Sequence, residues 1–124
     1  MNEVLLYLGA ALAIIWGIAH IIPTRSVVTG FGDISKDNRL IITQEWIAEG
    51  VAMVFIGVLA LLVTALEGVA NPASLIVYRI SAFALIVIAG LTAATGARTP
   101  IVPFKICPFL LTAVAVLFLL GSFL

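Results

Sequence analysis

Polar residues are sparse along this chain and gather at a few points. They leave four apolar stretches, about Val4 to Ile22, Gln44 to Leu66, Ser74 to Thr95 and Phe104 to Phe123. Crossing the hydrocarbon of a bilayer as a helix takes about 20 predominantly apolar residues, and each stretch is close to that length. The pattern predicts an all-α fold, an integral membrane four-helix bundle of up-down topology, with residues 1–124 as a single transmembrane domain. The first stretch is expected to stay as a helix rather than be removed as a signal peptide. It has no basic leader, runs too long for a signal core, and meets Pro23-Thr24-Arg25 where a cleavage site needs small residues.

Start and stop chemistry marks the ends. Asn71 before Pro72 offers a capping side chain followed by a residue preset for the first helical turn. Pro100 and Pro103 separate the third and fourth spans in the same way. Pro108 lies inside the fourth stretch and lacks a backbone donor, which predicts either a kink or a helix that starts beside it. The one long connection, Pro23 to Thr43, mixes Val27, Val28, Phe31, Ile34, Leu40 and Ile41 with Arg25, Asp33, Lys36, Asp37 and Arg39. That mixture predicts a short interfacial helix or re-entrant flap between the first two spans.

Apolar side chains gain nothing by leaving lipid, so close helix approach depends on small residues repeated every four positions. Gly9, Ala13 and Gly17 form such a stripe on the first span, Ala48 and Ala52 on the second, and Ala89, Ala93 and Ala97, beside Gly90 and Ala94, on the third. The fourth span ends in bulky residues and is expected to face lipid or a partner subunit.

Composition agrees with lipid as the solvent. The chain has 124 residues, of which 64% are hydrophobic and 10% charged, and its mean hydropathy is +1.32. A soluble domain of this size could not hide that much apolar surface. With Lys+Arg 6 against Asp+Glu 6 there is no basic surface for phosphate, which argues against a nucleic-acid partner. The lone Cys107 excludes an internal disulfide, and a small apolar filler is its plain reading. No His, Cys and Asp spacing resembles a metal site, so no metal is expected.

The basic residues are unevenly placed. Arg25, Lys36, Arg39, Arg98 and Lys105 belong to one side and Arg79 to the other. The positive-inside rule therefore expects residues 23–43 and 96–103 in the cytoplasm and both termini outside, in a multi-pass protein of the cell membrane. Arg79 is expected to form a structural ion pair with Glu3 or Glu67.

An ionisable group at the centre of the hydrocarbon costs about 2.5 to 3.5 kcal/mol on insertion scales, so the few in or near the spans call for a reason. Trp16 and His20 share a face of the first helix, and Glu45 and Glu49 share one on the second. Antiparallel packing brings the pairs to the same end, with Trp16 and Glu49 about 5 Å, one helical turn, deeper. Thr92, Thr95 and Arg98 descend to that end on the third span, and Lys105 and Cys107 open the fourth. The expectation is a polar cup in which ligand or proton binding falls to His20, Glu45, Glu49, Trp16, Thr92, Thr95 and Arg98. Two carboxylates one turn apart with little water resist double ionisation, so they are expected to share a proton. The plainer alternatives are that Glu45 snorkels to the interface, that His20 bonds a backbone carbonyl, and that Trp16 and Trp46 are interface anchors.

The run Gly17-Ile-Ala-His20-Ile-Ile-Pro23, an amphipathic connection, and a second span reading Glu49-Gly-Val-Ala-Met-Val-Phe-Ile-Gly57-Val-Leu resemble the DoxX-like group of small four-helix membrane proteins. The likeness covers the first two spans and the overall length; the basic, Pro-rich third connection departs from it. Members of that group are linked with membrane redox systems, including a subunit of a quinol oxidase or thiosulfate:quinone oxidoreductase. The resemblance implies an accessory subunit, a quinone or lipid as the associated molecule, a partner membrane subunit, and His20 and Glu49 as the matching polar positions. The residues themselves leave two other readings open. One is a proton-coupled transporter acting as a homodimer, and the other is an intramembrane lipid-modifying enzyme using His20 and the carboxylates as acid and base.

Overall fold

The computed structural model describes residues 1–124. Five α-helices follow one another: α1 Glu3–Ile21, α2 Thr24–Thr29, α3 Lys36–Leu66, α4 Pro72–Ala94 and α5 Val102–Phe123, with a single 3-10 turn at Gly96–Arg98 before α5. α1, α3, α4 and α5 are each long and apolar enough to cross a membrane. The molecule is a small integral membrane protein built as a four-helix bundle.

The caps explain most boundaries. The Asn2 side chain accepts from the N–H groups of Val4 and Leu5, and the Asn71 side chain accepts from Ala73 N–H with Pro72 in the first turn. Ser35 caps α3 by accepting from Asn38 N–H. That cap moves the start of α3 eight residues ahead of the expected Gln44, so the long connection shrinks to α2 and a turn. Gly32, at φ +74°, supplies the left-handed residue of that turn. The interfacial helix expected between the first two spans is α2, which packs on α3. α3 has 31 residues, about 46 Å at 1.5 Å per residue, against a hydrocarbon thickness of about 30 Å. Its first turns, with Lys36, Asp37 and Arg39, therefore stand clear of the hydrocarbon. α5 runs continuously through Pro108 rather than starting beside it, which leaves the Phe104 carbonyl without its helical donor.

α1 is the hinge of the packing: it lies along α3 on one side and α5 on the other, and α4 packs on α5. The α1–α3 seam is a backbone contact. A Cβ added at Gly17 would lie 2.7 Å from the Gly50 carbonyl oxygen, and one at Gly57 would lie 2.6 Å from that of Ala10. The seam on α3 thus follows Gly50, Met53, Gly57, Ala60 and Thr64, all buried, and not the expected Ala48 and Ala52, which are exposed. Two residues separate the rows, about 200° of helical rotation, so they occupy opposite faces.

Two further expectations change. On α4 only Ala89 of the small-residue stripe is buried, while Gly90, Ala93 and Ala94 are exposed. The contact face there is Ser74, Tyr78, Ser81, Ala82, Leu85 and Ala89. The fourth span, expected to face lipid or a partner subunit, is the most enclosed within the chain: 44% of its apolar stretch is buried, against 28% in each of the others. Its large residues pack inward because the glycines opposite make room. Phe118 fills the space in front of Gly9, and Leu6 fills that in front of Gly121.

The end of the bundle near the α3–α4 turn is tightly tied. Thr64 Oγ1 donates to the Ala60 carbonyl at 2.6 Å, so its 2.7 Å contact with Tyr78 Oη has the tyrosine as donor. Ser74 Oγ donates to the Val63 carbonyl, and Asn2 N–H to the Gly121 carbonyl. The expected ion pair of Arg79 is not formed. Its guanidinium lies 4.4 Å from the centre of the Phe123 ring, and Glu67 accepts from Asn71 Nδ2 instead.

Candidate functional site

At the opposite end the helices part and enclose a cavity of about 640 Å³, within the size range of small-molecule sites. α1 contributes Trp16, Ala19 and His20. α3 contributes Trp46, Glu49 and Ala52, and α4 contributes Ile88, Leu91 and Thr92, with Thr95 at its C-cap. Gly96, Ile101 and Pro103 of the connection and Phe104 and Cys107 of α5 close another wall, and Pro23 and Val27 cover it from α2. Counting back about 20 residues, or 30 Å, from Leu66 reaches Ile47. The site therefore lies at the rim of the hydrocarbon.

Its centre is an aromatic stack with a carboxylate. The His20 imidazole lies flat on the Trp46 indole, ring centres 4.0 Å apart and planes 15° from parallel. Trp46 Nε1–H donates to the His20 carbonyl at 2.8 Å, which holds the two rings in register. Phe104 meets Trp46 edge-on at 5.5 Å. His20 Nε2 and Glu49 Oε2 are 3.6 Å apart, close enough for electrostatic attraction but too long for a hydrogen bond. The His20 side chain is 10% exposed and that of Glu49 39%. His20 Nε2 is the one buried side-chain nitrogen or oxygen without a hydrogen-bond partner. Most buried polar groups are paired because an unpaired one costs about 1 to 3 kcal/mol, so this atom marks the place where the fold has left a polar demand unmet.

Of the residues expected to form the cup, Trp16, His20, Glu49, Thr92 and Thr95 line the cavity. Glu45 and Arg98 do not. Glu45 is exposed, its carboxylate accepting from the Gln44 amide; it stands one helical turn before Glu49, outside the cavity, and Trp46 takes the wall position. The two carboxylates therefore share no enclosed site, and the partner of Glu49 is His20. Arg98 is exposed in the 3-10 turn. Lys105 also turns away, donating to the Ala97 carbonyl. The Thr92 and Thr95 hydroxyls donate to the Ala89 and Leu91 carbonyls of their own helix.

Phe104 is a site residue that the sequence pattern did not single out, and Trp46, expected as an interface anchor, forms part of the cavity wall. Trp46 stands three positions before Glu49, a spacing that puts both on one helix face, and that was the available signal. Phe104 had none. Set against protein-family models, curated proteins and solved structures, the chain finds no match in any of the three comparisons.

Proposed function

We propose that this protein is an accessory, quinone- or lipid-associated subunit of a membrane redox system, in which the cavity takes the flat head group of a quinone-class molecule. The observation that carries this reading is the unpartnered, buried His20 Nε2 beside Glu49 on the wall of an apolar, aromatic-walled cavity at the hydrocarbon rim. A head group of that class is a planar ring with hydrogen-bonding oxygens and a long apolar tail. The Trp46, Phe104 and Trp16 rings supply flat apolar walls for the ring. Glu49, backed by His20, supplies polar recognition, and the surrounding lipid takes the tail. When bound, such a molecule brings two-electron, two-proton chemistry; the chain's own residues bind and orient it and exclude water. Electron transfer then requires a partner membrane subunit, which fits a chain of 124 residues with no redox centre of its own in its sequence pattern. The resemblance to the DoxX-like group points the same way, with His20 and Glu49 as the shared positions. The basic end, with the site, faces the cytoplasm in this reading.

The test is calorimetric titration of the protein in lipid nanodiscs with a decyl-tailed benzoquinone and its hydroquinone. Saturable binding of either, weakened by Trp46→Ala, supports the proposal. Absence of binding by both, with the protein folded, refutes it.

One observation favours a second reading. No Lys or Arg lines the cavity, and Glu49 is its only carboxylate. That arrangement also suits a lipophilic cation carried in exchange for protons by a homodimer. Proton-coupled flux in proteoliposomes that disappears with Glu49→Gln would establish it in place of the first.

A further inference from the structure

A second hollow lies on the outer face of the bundle, between α4 and α5 at the basic end. It holds about 750 Å³ and shares no lining residue with the aromatic-walled cavity. Gly90 and Ala93 of α4 and Ala97 of the turn after it form one wall, and Pro108 and Phe109 of α5 form the other. Gly90, Ala93 and Phe109 are exposed, and a Cβ added at Gly90 would meet nothing within 4 Å. Apart from the buried Ala89, the small residues of α4 therefore do not bring two helices of this chain together; they hollow out its outer face. From Ile86 at its deep end to Ala97 at its rim, the groove runs about 16 Å. That is about half of the roughly 30 Å hydrocarbon thickness, the depth of one leaflet.

A charged group stands at the rim. Lys105 lines the groove, and its Nζ donates at 3.2 Å to the Ala97 carbonyl, a neutral acceptor. No Asp or Glu lines the groove, and the ion pair of this chain is His20 with Glu49, so the ammonium has no countercharge in the protein. Arg98, exposed and next in sequence to the carbonyl that Lys105 holds, is a second cation without an ion pair. A cation against an apolar wall keeps more of its attraction for an anion than one in open water, and basic pockets between transmembrane helices suit lipid head groups. In a bilayer the apolar length of the groove is filled by an acyl chain, whose head-group phosphate then falls at the level of Lys105. A zwitterionic head group brings its own cation to that phosphate, whereas an anionic one leaves the charge to the protein. We propose that the α4–α5 groove binds an anionic phospholipid, with one acyl chain along Gly90 and Ala93 and the phosphate paired with Lys105 and Arg98. A second copy of this chain fits less well, because packing the face on itself brings no carboxylate to Lys105. The groove is separate from the quinone-class cavity and does not depend on that reading.

The test is native mass spectrometry of the full chain in detergent, titrated with phosphatidylglycerol or with phosphatidylcholine carrying the same acyl chains. Phosphatidylglycerol is expected to occupy one tight site per chain and to bind at least about fivefold more tightly than phosphatidylcholine, the worth of one lysine at an anionic surface. Lys105→Gln should erase most of that preference and leave phosphatidylcholine binding as it was. Arg79→Gln, at the other end of the bundle, should leave the preference intact. Gly90→Leu, which puts a side chain into the open groove, should weaken both lipids together. Equal binding of the two lipids overturns the proposal, as does a preference that Lys105→Gln leaves undiminished or that Arg79→Gln removes equally. A lipid-free dimer that Gly90→Leu dissolves also overturns it and gives the groove to a second copy. The comparison of the two lipids on the unaltered chain needs no variant, so the preference is measured even if a substitution fails to fold.

Discussion

The two ends of the bundle contain similar polar side chains and use them in opposite ways. Near the α3–α4 turn, Tyr78, Thr64 and Ser74 are buried, and each hydroxyl has a partner: Tyr78 to Thr64, Thr64 to Ala60, Ser74 to Val63. At the other end His20 is nearly as enclosed, yet its Nε2 has none. The first end has its hydrogen bonds satisfied internally. The second has a cavity of about 640 Å³ and an unmet polar demand on its wall. Polar residues in a membrane protein are therefore ambiguous as such; what separates a structural pair from a binding group is whether the fold itself satisfies it. α3 and α4 are hydrogen-bonded to each other beside the turn that joins them, through Thr64–Tyr78 and Val63–Ser74, whereas at the far end both line the cavity.

This contrast can be broken most forcefully at the backbone seam that sets the α1–α3 spacing. Gly57→Val places a side chain where only 2.6 Å separates a Cβ from the Ala10 carbonyl. It is expected to cost about 3 kcal/mol, the upper part of the overpacking range, read by unfolding equilibria in bicelles. A loss below about 1 kcal/mol would mean that the seam yields easily. Next in size, Trp46→Ala removes the ring under His20 and the bond to its carbonyl. Binding of the decyl-tailed probe should fall about thirtyfold, the effect of losing a central aromatic anchor, with helical content unchanged. Unaltered affinity would take Trp46 out of the site.

Tyr78→Phe acts only at the closed end. It is expected to lower stability by about 0.6 kcal/mol, a typical value for hydrogen bonds between membrane helices, and to leave probe affinity as it was. A change in affinity would show that the two ends communicate. Smallest of all, Glu45→Gln should shift both stability and binding by no more than about 0.5 kcal/mol, the usual range for surface substitutions. A tenfold loss of binding would restore Glu45 to the site from which its exposure removes it.

Much of this organisation is legible from residues alone, and the reasons are local. Four spans follow from length and hydropathy, because in lipid every backbone polar group must be paired within its own segment. The start at Asn71-Pro72 follows from capping chemistry. The convergence of Trp16, His20, Glu49, Thr92 and Thr95 follows from helical spacing and antiparallel order. The early start of α3 was harder to read, because charged Lys36, Asp37 and Arg39 look like a loop until Ser35 is recognised as a cap. The choice of seam was harder still. Ala48 and Ala52 satisfy the same small-residue rule as Gly50 and Gly57, and nothing local ranks one face of α3 above the other.

The amino-acid sequence by itself determined the class of protein, the number of spans and the end at which its polar residues meet, since each depends on length, hydropathy and the 3.6-residue repeat. Tertiary structure decided which of those residues share a space. Glu49 belongs to the cavity and Glu45 does not. Trp46 is a wall and no mere anchor, and the bulky fourth span is a centre instead of a lipid face. These outcomes depend on the rotation of each helix about its axis. That rotation is set by how closely two backbones approach at glycines such as Gly17 and Gly57, a quantity that belongs to pairs of helices and to neither one alone.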